Sequence, residues 1–98
     1  MTLPLVLRPA AETDIFNSRD WYNRQRDGLG DSFVDAVREL LKEIQSEPER
    51  FAESFRHIRR AKTRRFPYVI CYRILDDRIE IVAVLHASRD PRAWQRRA

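Results

Sequence analysis

Cysteine, glycine and histidine are all scarce in this sequence, and each scarcity removes a class of protein. A single cysteine, Cys71, excludes an internal disulfide. The only histidines are His57 and His86, and no Cys/His cluster has metal-ligand spacing, so no metal site and no cofactor are called for. With two glycines in all, the chain reads as a compact, helix-containing fold rather than a disordered one. No apolar run approaches the length of a membrane span, and the opening MTLPLVLRPA has too few consecutive apolar residues for a signal peptide. The setting expected from these absences is a reducing cytoplasm, with no membrane partner.

What is present is charge. Of 98 residues, 43% are apolar and 35% charged, which suits one domain, 1–98, with a single core and a site built on its surface rather than deep inside. The net charge of +4 is unevenly placed. Residues 1–53 hold 7 Lys/Arg and 11 Asp/Glu, whereas residues 54–98 hold 12 and 4, giving −4 against +8. A polarised chain of this kind suits an acidic partner or a nucleic acid.

Leu3, Leu5 and Leu7 alternate with Pro4 and Val6 and predict a first strand, with Pro4 tolerable at a strand start or edge. Pro9 opens a helix, and Ala11, Ile15, Ser18 and Tyr22 mark one face of it as far as about Arg26. Asp27-Gly28-Leu29-Gly30 breaks the pattern, and Asp31 or Ser32 is the expected cap of a second helix. Phe33, Val37, Leu40, Leu41 and Ile44 form the apolar stripe of that helix, which must stop near Glu47 because Pro48 cannot continue it.

After Pro48 the period changes to 2. Phe55 to Ala61 predicts one strand; Tyr68, Ile70, Tyr72 and Ile74 point one way on the next. Ile79, Ile81, Ala83 and Leu85 do the same on the last, with Asp76-Asp77 as the hairpin turn. Pro91 to Arg97 is a short basic tail. The order β-α-α-β-β-β predicts an α+β fold, a helical hairpin on one face of a mainly antiparallel four-stranded sheet. The opposite face should then carry His57, Arg59, Val69, Cys71, Arg73, Glu80, Val82, Val84 and His86, a mixture suited to a surface covered by a partner.

The stretches AAETDIFNSRDWYNRQRDGLGDSF, RRFPYVICYRI and DDRIEIVAVLHASRDPRAW, in this order and at this spacing, resemble the RelE/ParE family of toxins from bacterial type II toxin–antitoxin systems, over nearly the whole chain. The resemblance implies a growth-inhibiting toxin held inactive by a cognate antitoxin that wraps it, with DNA binding only through that antitoxin. RelE-like members are ribosome-dependent mRNA endonucleases; ParE-like members poison DNA gyrase by binding. The HxxRDP segment from His86, followed by Arg92 and Trp94, resembles the ParE-like branch. Val69 follows Tyr68 where the ribonucleases place an arginine, and Trp94-Gln95 stands where they end in a tyrosine. A gyrase-binding toxin is therefore the favoured reading; the alternatives are a ribosome-dependent mRNA endonuclease and a degenerate antitoxin-binding, autoregulatory subunit.

A ribonuclease would need a base for the ribose 2′-OH, cations for the phosphorane and an acid for the leaving oxygen. His86 is the acid/base candidate, with Arg60, Lys62, Arg65 and Arg89 to supply cations, Arg65 and Arg89 foremost. A toxin acting by contact would instead use Arg59, Arg60, Arg65, His86, Arg89, Arg92 and Trp94. Each has a plainer reading. His86 is expected to bond a carboxylate such as Asp90, Arg89 to pair with Asp90, and the six cations between Arg56 and Arg65 to be a solvated sheet edge. Of Trp21 and Tyr22, adjacent on a helix, one must lie outside the core.

Overall fold

Leucine alternation at the start of the chain yields a strand of only three residues, β1 (Leu5–Leu7), because Pro9 at the first helical position turns the chain into α1 (Pro9–Gln25). The computed structural model describes residues 2–98. Leu3, Leu5 and Leu7 pack against the core while Val6 faces solvent. α1 is weakly sided: of its residues only Ala11 is fully buried, and Ile15 and Tyr22 pack beside it. α2 (Leu29–Ser46) buries Phe33, Ala36, Val37, Leu40 and Ile44, the stripe its sequence shows, and stops one residue short of Glu47.

The link between the helices assigns a separate task to each glycine. Gly28 has φ of +85°, the left-handed region that side chains with a Cβ avoid. Gly30 is where the helices touch: a Cβ there would lie 2.2 Å from the Arg19 carbonyl oxygen and 2.6 Å from Asn23. The expected cap from Asp31 or Ser32 is not found. Asn23 supplies it from α1, its Oδ1 accepting the Gly30 N–H at 2.7 Å, while the Ser32 hydroxyl donates back to the Gly28 carbonyl. The capping oxygen comes from the neighbouring helix because the close approach permitted by Gly30 brings it within reach.

Four further strands follow, β2 (Glu53–Phe55), β3 (Ile58–Lys62), β4 (Tyr68–Ile74) and β5 (Ile79–His86), and then a short helix, α3 (Arg92–Gln95). The sheet order is β1-β5-β4-β3-β2, with β1 parallel to β5 and every other pair antiparallel. The sheet is thus five-stranded and mixed, correcting the four-stranded expectation. The strand expected from Phe55 to Ala61 is divided by a turn at Arg56 (φ 46°) and His57 (φ 66°). Two left-handed residues match the twist of a tight hairpin, but neither is the Gly, Asn or Asp that announces such a turn in sequence.

A second departure lies inside β5. Cys71 pairs with Ala83 and Tyr72 with Ile81, so Val82 is an extra residue, a β-bulge. The bulge shifts the alternation by one. Ile79, Ile81 and Val84 face the helices, whereas Val82, Ala83 and Leu85 face the other way. The expected placement of Ala83 and Leu85 beside Ile81, and of Val84 and His86 on the far side, is reversed by that one residue.

The helix-side core centres on Phe33, which meets Phe66 and Tyr68 at ring separations of 5.5 and 4.7 Å; Tyr22 packs against the same three rings. Trp21 is the outward member of its pair, half exposed. Tyr72 is fully buried and donates to the Pro48 carbonyl at 2.6 Å; burial pushes its hydroxyl up to about 12, against the pull of Arg59. The far face is not left open for a partner. Its apolar residues, Ile58, Val69, Cys71, Val82, Ala83 and Leu85, are capped by Trp94 of α3, only 3% exposed. The basic tail is therefore part of the fold.

Candidate functional site

The end of the sheet where β5 finishes is built by three segments. β4 begins opposite the end of β5, Tyr68 pairing with His86, and the Ala87 N–H donates to the Pro67 carbonyl at 2.7 Å. The β3–β4 loop turns through Arg65, a left-handed residue (φ 67°), and is held by the Thr63 hydroxyl donating to the Phe66 carbonyl at 2.8 Å. Arg65, His86 and Arg89 are thereby exposed at one end of the molecule. Among the described residues, Arg60, Lys62, Arg65 and Arg89 are paired with no carboxylate.

His86 does not bond Asp90. Its Nδ1 accepts the Ser88 backbone N–H at 3.1 Å, with the Ser88 hydroxyl at 2.8 Å from the same nitrogen. A backbone N–H can only donate, so in the neutral ring Nδ1 is the acceptor and the proton sits on Nε2. The ring packs edge-on against Tyr68, centroids 5.5 Å apart, on the α1 side of the sheet. Together with Asp14, Asn17, Ser18, Tyr68 and Arg89 it lines a cavity of about 120 Å³. Asp90 pairs with Arg92 instead of Arg89, Nη2 to Oδ2 at 2.7 Å, and that hydrogen bond holds the Asp90 carboxyl below its usual range. The local turn brings the charge two residues on within reach and leaves Arg89 free.

The remaining sequence candidates are not gathered there. Arg59 lies on the helix side of the sheet, donating to the Glu49 and Phe51 carbonyls at 3.1 and 2.7 Å, and so secures the α2–β2 connection. Arg60 lies on the other face, its guanidinium 5.3 Å from the Trp94 ring centre. Trp94 is buried and cannot meet a partner without α3 leaving the sheet. Arg92 is exposed but engaged by Asp90.

Sequence reading missed an ionic network that fastens both ends of the chain. Asp14 accepts the Val84 N–H at 3.0 Å and the Arg97 guanidinium at 2.6 and 3.1 Å; Arg97 also donates to the Val82 carbonyl at 3.2 Å. These side chains satisfy the edge of β5 beyond the point where β1 stops. Next to them, Arg8 donates to the Arg97 carbonyl and, at 2.7 Å, to Glu80, which Arg73 also reaches at 2.9 Å. Burial works against the Glu80 charge, but the hydrogen bonds and proximity of Arg8 and Arg73 outweigh it and keep the carboxyl below its usual range. The only sequence signal was the spacing Asp14, Asn17, Ser18, one polar row on α1.

A second surface feature is an apolar groove of about 260 Å³ lined by both helices of the hairpin and by β1. Its floor is Leu7, Ile15, Val34, Val37 and Leu41, with half-exposed Phe16 at its rim and Arg19 and Arg38 beside it.

Comparison with known proteins places this architecture. The family described as "ParE toxin of type II toxin-antitoxin system, parDE" matches residues 5–91. The chain belongs to the ParE toxin family. It is 37% identical over 97 residues to Toxin ParE2 of Mycobacterium tuberculosis, in both strain CDC 1551 / Oshkosh and strain ATCC 25618 / H37Rv, covering 95% of this chain and 90% of the relative. A structure titled "Chromosomal ParDE TA system from P. aeruginosa" shares the fold, with a TM-score of 0.78 over 87% of this chain and 96% of the other at 18% identity. As a toxin of this family the protein is one member of a toxin–antitoxin system. No helix among its described residues is long and apolar enough to cross a membrane.

Proposed function

We propose that this ParE toxin arrests growth by binding DNA gyrase rather than by catalysis, and that a cognate antitoxin neutralises it in the cytoplasm. The observation that carries the non-catalytic reading is the bond from the Ser88 N–H to His86 Nδ1. With its proton on Nε2, the one histidine at the sheet end offers a donor where activation of the ribose 2′-OH needs a base, and the imidazolium that could serve as the acid would give up the Ser88 bond. The target-facing surface is the end bearing Arg65, His86 and Arg89, where two arginines, on the β3–β4 loop and the loop after β5, stand free of carboxylates on either side of the last residue of β5.

The antitoxin reading rests on the hairpin groove. An apolar floor flanked by Arg19 and Arg38 fits an amphipathic helix whose polar edge is acidic, and the +8 of residues 54–98 favours an acidic segment beyond it. Affinity should weaken with salt, since rim charges steer association.

The deciding experiment pairs two readouts after induction in a bacterial host: sequencing of RNA 5′ ends and DNA supercoiling by purified gyrase. Expected are loss of supercoiling, DNA-damage induction, a mild effect of His86→Gln and a severe one of Arg89→Ala, about 2 kcal/mol or more for a contact residue. Cleavage of mRNA at ribosomal A-site codons that disappears with His86→Gln would overturn the reading in favour of an endonuclease.

A further inference from the structure

The cavity at the sheet end is walled by hydrogen-bond donors that the fold does not use. Among the described residues, the side chains of Asn17, Ser18, Tyr68 and Arg89 find no protein hydrogen-bond partner, and His86 is engaged only through Nδ1, which leaves Nε2–H. Five side chains from α1, β4, β5 and the loop after β5 therefore present unused donors to one small space. The single carboxylate on the wall, Asp14, has both oxygens taken by Arg97 and Val84 and its charge compensated at 2.6 Å. Such a wall is complementary to an anion and hostile to a cation.

At about 120 Å³ the space falls well below the roughly 300–1,000 Å³ of pockets that enclose a whole small molecule, so it takes one group rather than a ligand. A phosphate uses more of the wall than a carboxylate does, because its several oxygens can accept from donors arriving on different sides, with arginine as the charge-assisted partner. Outside the cavity the cationic surface continues. Lys62 at the end of β3 and Arg65 in the β3–β4 loop, both exposed and unpaired among the described residues, lie at the same end of the sheet.

We infer that the cavity between α1 and the end of β5 is a phosphate-binding pocket, formed by Asn17, Ser18, Tyr68, His86 and Arg89, that seats one backbone phosphate of a DNA strand. The inference rests on the gyrase reading for its DNA, the strand that the target enzyme holds, and departs from the expectation that the toxin meets DNA only through its antitoxin. One phosphate seated in a pocket fixes register without reading bases, so binding is indifferent to sequence.

The test uses the purified full chain and a duplex oligonucleotide of mixed sequence, with affinity measured across a salt series. Removing one phosphate contact should lower the slope of log K against log salt by about 0.9. Arg89→Gln is expected to do so, and Ser18→Asp, which puts a negative charge on the wall, to weaken binding as well. Arg24→Gln, an equal loss of charge at an exposed site on α1, should leave the slope closer to wild type. In parallel, inorganic phosphate should shift the His86 Nε2 resonance saturably in wild type and not in Arg89→Gln. Equal slope changes in Arg89→Gln and Arg24→Gln would reduce the DNA affinity to diffuse charge and overturn the pocket. A His86 response to phosphate with oligonucleotide binding indifferent to Arg89→Gln would overturn the strand in favour of a small phosphate ester. A response to acetate or an acidic peptide but not to phosphate would overturn both in favour of a partner's carboxylate. Gyrase inhibition, measured on the same samples, separates the two readings. Pocket binding with no effect on gyrase defeats only the target, and gyrase inhibition with no DNA binding defeats only the pocket.

Discussion

Replacing Gly30 by alanine tests whether the helical hairpin, which positions Asp14, Asn17 and Ser18 over the sheet, depends on one close contact. The new Cβ would fall 2.2 Å from the Arg19 carbonyl oxygen, an atom that cannot rotate away. The helices must separate by the better part of an ångström, and overpacking of this kind costs about 1–3 kcal/mol, here towards the upper end because the obstacle is backbone. Separation also weakens the Asn23 cap on the Gly30 N–H, about 1 kcal/mol. Against this, alanine is the better helix former by about 1 kcal/mol. The net expectation is a loss of about 3 kcal/mol, or roughly 12–24 °C in melting temperature for a domain of this size. Gly28→Ala is the internal control. Nothing lies within 4 Å of its would-be Cβ, so only the left-handed backbone is penalised, about 1–2 kcal/mol. Urea unfolding of both variants, with slopes compared, reads the difference. If Gly28→Ala costs as much as Gly30→Ala, the close-approach argument is wrong.

Trp94→Ala should cost about 3–5 kcal/mol by calorimetry, because it uncovers the far-face cluster, whereas Trp21→Ala should stay within about 0.5 kcal/mol. Cys71 shares that cluster, and burial pushes its thiol up to about 11, so a disulfide exchange reagent near pH 8 should label the native protein slowly and the Trp94→Ala variant faster; equal rates would contradict the cover. Glu80 has a lowered carboxyl pKa in the fold, so the stability it contributes is complete above its unfolded value of about 4.5 and is lost as pH falls through the lower folded value. Glu80→Gln should accordingly flatten the acid limb of a stability-against-pH curve below about pH 4.5, while an unchanged limb would remove Glu80 from the account.

The elements differ in how far residue order alone specifies them. The stripe from Phe33 to Ile44, the stop before Pro48, the need for one outward ring in the Trp21–Tyr22 pair and the turn at Asp76-Asp77 all follow from residue order, because period, proline and turn chemistry act within a few positions of themselves. The order of elements and the motif spacing likewise sufficed for the family. Tertiary structure alone decided what depends on residues far apart in the chain. The bulge at Val82 is a mismatch between two strands, invisible in either, yet it moves His86 to the α1 side. The cap on α2 comes from Asn23 and the cover of the far face from Trp94, each placed by packing. Asp14 meets Arg97 across 83 positions of chain, a pairing that local propensity cannot announce because no local interaction favours it. The sequence by itself determined the two long helices, the β4–β5 hairpin and the family. Which donors face one cavity, and which tryptophan is core rather than contact, was settled only when distant side chains had to share the same space.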